Sequence, residues 1–168
     1  MPRFQPFVME RMMSKFEKAV DYNLSESGVH PLTLNELFQD DPEGMARLMS
    51  LEMDYAHANG IPELRRNIAA LYPGAGPENV LVTVGAIEAN YDILWSLLSP
   101  GDEIVVMLPN YMQIWGLAKN LGFSLKTFSL DEKNGWAPDL DGLKKAVTRK
   151  TKLIAVGNPN NPTGYILD

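Results

Sequence analysis

The sequence predicts an α/β domain: a mainly parallel sheet with helices on both faces, three layers in all, preceded by a helical arm. Three observations carry this. Short apolar runs alternate with helix-length amphipathic segments over the second half of the chain, the pattern of βαβ units whose strands lie parallel and buried. Glycine or proline stands between these segments, at Gly85, Pro100-Gly101, Pro109 and Gly122, where the backbone has to change period. The 168 residues, 45% hydrophobic and 21% charged, have an ordinary globular composition and are enough for one core.

The elements follow in order. Residues 1–7, with Pro2 and Pro6, read as an extended arm. Val8 to Val20 places Val8, Met12, Met13, Phe16 and Val20 at helical spacing, a stripe that fits core or a subunit interface better than a cofactor box. Asn23 to Pro31 is a loop. Thr33 to Phe38 is a short helix with Thr33 as cap and Glu36 placed for a capping box. Pro42 starts a helix reaching about Leu51, Tyr55 to Gly60 turns, and Pro62 opens a helix that runs to Leu71, before Tyr72-Pro73-Gly74. Asn79 to Val84 reads as a strand. Gly85 follows at once, and Ala86 to Leu98 is helical with an apolar face of Ile87, Ile93, Leu94 and Leu97.

Pro100-Gly101-Asp102 turns into a second strand, Glu103 to Leu108, which Pro109-Asn110-Tyr111 ends. Met112 to Leu121 is a helix closed by Gly122, and Ser124 to Leu130 a third strand. Asp131 to Pro138 is a loop, Leu140 to Val147 a helix, and Lys152 to Val156 the fourth strand. There is no internal repeat and no low-complexity segment.

Charge and composition exclude several classes of function. Fifteen Lys and Arg against 21 Asp and Glu give a net charge of −6, the wrong sign for a nucleic-acid surface. The basic cluster Lys144-Lys145, Arg149-Lys150 and Lys152 suits the solvated end of a helix. With no cysteine, disulfides, thiolate metal sites and a cysteine nucleophile are ruled out, and two lone histidines, His30 and His57, argue against zinc. No secretory signal pattern opens the sequence, and no apolar run approaches the roughly 20 residues of a membrane span. Asn23-Leu24-Ser25 matches the glycosylation triplet by chance. No membrane is expected as a partner, and the cytoplasm is the expected compartment.

Three strand ends hold unusual residues. At Val84-Gly85-Ala86-Ile87-Glu88 a glycine joins strand to helix, where backbone N–H groups at the positive helix end can meet an anion. This is neither a G-x-G-x-x-G fingerprint nor a P-loop, and Gly74-Ala75-Gly76-Pro77 precedes a strand instead of following one. At Pro109-Asn110-Tyr111 an aromatic stands on the ligand edge of the sheet, as a stacking platform or as an interface tyrosine. At Asn158-Pro159-Asn160-Asn161-Pro162-Thr163-Gly164 two prolines stiffen a loop that carries three side-chain amides. In open α/β sheets ligands bind at the carboxyl ends of strands. A phosphate cradle, an aromatic platform and a set of amides together suit a flat heteroaromatic phosphate ester.

These residues resemble a known family, the class I and II aminotransferases that use pyridoxal 5'-phosphate on the fold called type I. The resemblance spans nearly the whole chain, in order. Asn158-Pro159-Asn160-Asn161-Pro162-Thr163-Gly164 is similar to the family's N-P-x-N-P-T-G signature. The segment from Tyr55 through Gly60-Ile61-Pro62-Glu63-Leu64-Arg65 resembles its Y-x-x-x-x-G-x-x-x-L-R stretch, Val84 to Ala89 its phosphate turn, and Pro109-Asn110-Tyr111 its proline-x-aromatic motif.

The resemblance implies roles residue by residue. Gly85, Ala86 and Ile87 would offer amides and the helix end to the cofactor phosphate, Tyr111 would stack on the pyridine ring, and Asn161 would hydrogen-bond the ring's phenolic oxygen. The Asn161-Pro162 bond is often cis in relatives. Tyr55 would reach across a homodimer interface to the phosphate of the other subunit's shared active site, and Gly28 would match a loop touching the substrate carboxylate. Arg65 reads as a helix salt-bridge partner. The family's Schiff-base lysine, its aspartate on the pyridine nitrogen and its arginine for the substrate carboxylate lie well past the Asn-Pro signature.

This chain therefore holds no catalytic residue of its own, the lysine being expected beyond Asp168, and is expected to be the N-terminal part of such an enzyme, inactive alone. Residues 1–45 would form the arm and part of the small domain or dimer contact, and 46–168 the first part of the cofactor domain. The implied reaction moves an amino group between an amino acid and a 2-oxo acid. The alternatives are a non-catalytic regulatory or interaction module on the same fold, or a lyase or synthase that shares these motifs. Exposed apolar surface and association are expected of the isolated chain.

Overall fold

The computed structural model describes residues 4–167, so the first part of the expected arm and Asp168 lie outside the described residues. The chain divides into two compact units, one of residues 1–27 with 85–168 and one of residues 28–84.

The first unit is built on a four-stranded sheet in the order β3 (Ala137–Pro138), β2 (Ser124–Asp131), β1 (Glu103–Leu108), β4 (Thr151–Ala155). Strand β1 lies between β2 and β4 and is parallel to both. Each parallel step is closed by a helix, α6 (Gln113–Asn120) between β1 and β2 and α7 (Leu140–Ala146) between β2 and β4. Side chains alternate along β1, so its two faces enter two different cores. Ile104 and Val106 meet Leu94 and Leu98 from α5 (Gly85–Leu97) and its end, with Ala118, Phe123 and Ala155. Val105 and Met107 meet Phe128, Leu130 and Ala146 on the other side. Sheet, helices above and helices below make the three layers that the alternation predicts.

The remaining element boundaries hold to within a residue or two, and four expectations differ. The predicted strand at Asn79–Val84 is not one. Pro77–Asn79 forms a 3-10 turn, Val80 is extended (φ −115°, ψ 124°), and residues 80–84 belong to no strand, the Val82 N–H donating to the Asn59 carbonyl at 3.1 Å. Its β-branched residues favour extended backbone, but a strand exists only beside another strand.

The predicted loop at Asp131–Pro138 contains β3 (Ala137–Pro138), paired antiparallel with Leu130 and Asp131. Gly135 and Trp136 both take left-handed φ, 61° and 68°, and reverse the chain, while the Trp136 N–H donates to the Asp131 carbonyl at 2.8 Å. Two paired residues are too few to leave a periodic pattern.

Of the predicted apolar face of α5, only Leu94 is buried; Ile87, Ile93 and Leu97 are about half exposed or more. That helix is apolar around most of its circumference, so spacing alone does not choose its face. The N-terminal helix α1 (Val8–Phe16) is also shorter than its stripe, and Met12, Phe16 and Val20 stay half exposed, lining with Tyr22 and Leu24 a groove of about 400 Å³.

The second unit holds α2 (Leu34–Leu37), α3 (Pro42–Met49) and α4 (Pro62–Ala69). The Thr33 hydroxyl accepts the Glu36 N–H while Glu36 accepts the Thr33 N–H, the expected capping box. Asp41 caps α3 in front of Pro42. Arg65, expected in a salt bridge, instead donates to the carbonyls of Val80 (2.9 Å) and Pro77, clamping α4 to the following turn. Among the described residues no helix is long and apolar enough to cross a membrane.

Candidate functional site

The site forms where three distant stretches of the first unit meet at the carboxyl edge of the sheet. The end of β1 delivers Pro109, Asn110 and Tyr111. Beyond β4 the chain enters the Asn-Pro loop, and the Asn160 side-chain amide donates to the Pro109 carbonyl at 3.2 Å. A Cβ added to Gly157 would stand 3.0 Å from the Asn110 Oδ1, so glycine is what lets this loop lie against the β1 end. On the other side of Tyr111, Gln113 opens α6. Its Nε2 donates to the Ile87 carbonyl at 2.6 Å, and its Oε1 accepts from Asn90 at 2.9 Å. The first turns of α5 and α6 are thereby held side by side.

The Asn-Pro loop is organised around Asn160, which is 3% exposed. Its Oδ1 accepts from the Thr163 N–H and hydroxyl, its N–H donates to the Tyr165 carbonyl, and its carbonyl accepts from the Gly164 N–H. Asn161 points outward, and its amide donates to the Ser27 hydroxyl at 3.3 Å. The bonds Leu108-Pro109, Asn158-Pro159 and Asn161-Pro162 are cis.

Tyr111 is held from the N-terminal side. Its hydroxyl donates to Glu10 Oε1 at 2.7 Å, and the Phe7 ring stands edge-on to it with centroids 5.3 Å apart. Burial, and then the hydrogen bond to the Glu10 carboxylate, push the phenol up to about 12. The ring therefore stays neutral throughout the physiological range.

Gly85 starts α5 with φ 76°, and a Cβ there would meet nothing within 4 Å. The first turn of this 13-residue helix presents the positive helix end and its backbone N–H groups, which favour an anion. A helix N-terminus, an aromatic ring and an outward-facing amide on one sheet edge form a donor set that fits an aromatic phosphate ester such as pyridoxal phosphate. The lysines on strands, Lys126 and Lys152, both fall in the first three residues of β2 and β4, at the opposite end of the sheet; Lys126 pairs with Glu103 at 2.8 Å.

The predicted residues Gly85, Ala86, Ile87, Tyr111 and Asn161 thus all belong to the first unit, on segments that direct hydrogen bonds tie together. Tyr55 and Gly28 belong to the second unit, where the Tyr55 side chain is fully exposed. Four residues that hold the site were not singled out from the sequence: Glu10, Ser27, Gln113 and Asn160. Gln113 left a trace, as a polar residue one helical turn before Leu117 on the apolar side of α6. Glu10, more than a hundred residues from Tyr111, left none.

A helix N-terminus, an aromatic ring and an amide loop brought together beside the carboxyl ends of β1 and β4 fit a planar phosphorylated cofactor. The model of the family described as aminotransferase class I and II matches residues 22–168, and the chain belongs to that family, whose cofactor is pyridoxal phosphate. It is 40% identical over 149 residues to the capreomycidine synthase of Streptomyces vinaceus, covering 87% of this chain and 38% of that protein. With the probable aspartate/prephenate aminotransferase of Thermus aquaticus it shares 33% identity, over 80% of this chain and 38% of the relative. The crystal structure of a PLP-dependent aminotransferase from Streptococcus suis 89-1591 superposes with a TM-score of 0.90 at 34% identity, over 99% of this chain and 46% of that one. The chain spans less than half the length of each.

Proposed function

We propose that the full-length protein is an aminotransferase that moves an amino group between an amino acid and a 2-oxo acid, and that this chain supplies the cradle for its cofactor. The observation that carries the reading is the hydrogen-bonded junction of the α5 start, the β1 end and the Asn-Pro loop. Pyridoxal phosphate, when bound, supplies the electron sink for breaking a bond at the substrate Cα.

The chain's own residues bind and orient. The amides of Gly85, Ala86 and Ile87 and the positive end of α5 hold the phosphate. Tyr111 offers a ring face to the pyridine, and Asn161 exchanges its Ser27 contact for the cofactor's phenolic oxygen. Gly28 lies by the substrate carboxylate, and Tyr55 reaches the phosphate of the neighbouring subunit in a homodimer; its full exposure leaves it available for that. The covalent lysine comes from outside these residues. In this reading residues 46–168 are the first part of the cofactor domain, residues 1–45 belong to the arm and small domain, and the enzyme works in the cytoplasm.

The test is to titrate the full-length protein with pyridoxal phosphate and follow its visible absorbance, then to assay transfer from a panel of amino acids to 2-oxo acids. Absent cofactor binding would overturn the reading. A second reading, a synthase or cyclase on the same cradle, is favoured by the 40% identity to a capreomycidine synthase. It expects cofactor binding and consumption of an amino acid with no 2-oxo acid released, which mass analysis of the products distinguishes.

A further inference from the structure

The N-terminal segment is fastened across α6 at both ends. At the far end, the Gln5 N–H donates to Asn120 Oδ1 at 2.7 Å and Asn120 Nδ2 returns a bond to the Gln5 carbonyl at 3.1 Å. At the near end, Phe7 and Glu10 grip Tyr111, the one by its ring edge and the other by its hydroxyl. The two anchors are one helix apart, so α1 can hardly shift without releasing one of them.

We infer that Glu10 is a positioning residue for the cofactor: by accepting the Tyr111 hydroxyl it sets the tilt of the ring on which the pyridine stacks. The inference rests on the proposed reading of the site. A tyrosine ring turns about two torsions, and the Tyr111 N–H donates to Asn110 Oδ1 at 2.8 Å, which holds the backbone but not the ring. Phe7 restricts the ring from one side, while the carboxylate fixes the hydroxyl end through a charge-assisted hydrogen bond, the stronger kind. Stacking is sensitive to ring offset and tilt, so an acceptor at the hydroxyl governs how well the platform fits a flat ligand. It also explains why a polar residue faces inward on a helix whose other side is a Met-rich stripe.

The test uses the full-length protein with Glu10→Ala, Glu10→Gln, Tyr111→Phe and the double variant Glu10→Ala/Tyr111→Phe. Two quantities are read: the dissociation constant for pyridoxal phosphate and the circular dichroism that the protein induces in the bound cofactor. Glu10→Ala is expected to weaken binding roughly two- to tenfold, the cost of immobilising one freed side chain when the cofactor binds, and to diminish the induced signal. Glu10→Gln, which keeps an acceptor, retains most of both. Tyr111→Phe matches Glu10→Ala, and the double variant is no worse than either single one, because the two groups act as a unit.

With no cofactor present, a tyrosinate titration by ultraviolet absorbance, taken as the difference from Tyr111→Phe, shows the phenol ionising at lower pH in Glu10→Ala. Binding and dichroism equal to wild type in Glu10→Ala, or additive losses in the double variant, would overturn the inference while leaving the cofactor site standing. Failure of the wild type to bind the cofactor overturns both.

Discussion

The amide of Asn160 reaches the Pro109 carbonyl at 3.2 Å, while its neighbour Asn161 turns the other way, outward to Ser27. One is a buried hub and the other an exposed hand, although the sequence presents them as a pair. Their substitutions are accordingly expected to separate stability from binding. Asn160→Ala leaves the Pro109 carbonyl and the Thr163 donors without a partner and lowers stability by roughly 1–3 kcal/mol, visible as a fall in Tm. Asn161→Ala leaves Tm nearly unchanged and weakens pyridoxal phosphate binding, measured by absorbance titration. Equal effects on Tm would show that the two amides share one role.

Glu103 stands at the opposite edge of the sheet and carries a pH prediction. Its carboxylate is held by Lys126, Thr151 and Thr148, in that order of influence, and its pKa is lowered to about 2. The register slips between Glu103 and Ile104, so that Thr151 pairs with Glu103 and Leu153 with Ile104, and this bulge brings the threonine hydroxyl alongside. A depressed pKa means the folded state holds fewer protons than the unfolded one. Its contribution is complete above the ordinary value of 4.5 and is lost as pH falls toward about 2. The Tm difference between wild type and Glu103→Gln should therefore be constant near neutrality and shrink across that window. A difference that persists unchanged to the acid end would refute the assignment.

Two glycines of the second unit make a comparison. Both take positive φ, 103° at Gly60 and 81° at Gly74, but a Cβ at Gly60 would fall 2.4 Å from Val82 Cγ2 while one at Gly74 meets nothing within 4 Å. Gly74→Ala is expected to cost only the backbone strain, roughly 1–2 kcal/mol. Gly60→Ala adds a steric clash and should cost roughly 2–5 kcal/mol. Chemical denaturation of the two variants checks the ranking.

Gly85 tests the cradle. With φ 76° and open space where its Cβ would be, Gly85→Ala is expected to cost roughly 1–2 kcal/mol in stability. It should weaken binding of the phosphorylated cofactor more than that of pyridoxal, which lacks the phosphate. Equal weakening of both ligands would place the phosphate elsewhere.

How far the sequence could be followed depended on the range of the physics. Helix starts are settled within four residues, so Thr33 and Glu36 announced α2, and Pro42 announced α3. Burial on both faces makes a continuous apolar run, so β1 was legible to the residue at Glu103–Leu108. The extended stretch at 80–84 misled because a lone β-pattern says nothing about whether a neighbouring strand exists. Tyr111 and Asn161 were legible through a motif, but the residues holding them, Glu10 and Ser27, come from more than a hundred residues away and follow no local rule. Arg65 was read from helix surface chemistry, while tertiary carbonyls took it instead.

Among the described residues, the five largest side chains fully shielded from water are Leu94 and four consecutive residues of β1, Ile104 through Met107. Amide hydrogens in that strand, bonded on both sides to parallel neighbours, should exchange with solvent only when the whole unit opens, and so be its slowest. The Asn-Pro loop at the strand's carboxyl end is held instead by the hydrogen bonds of Asn160. The molecule has a stiff keel directly beneath the edge assigned to the ligand, and Tyr111 and the Asn-Pro loop are moored to its end.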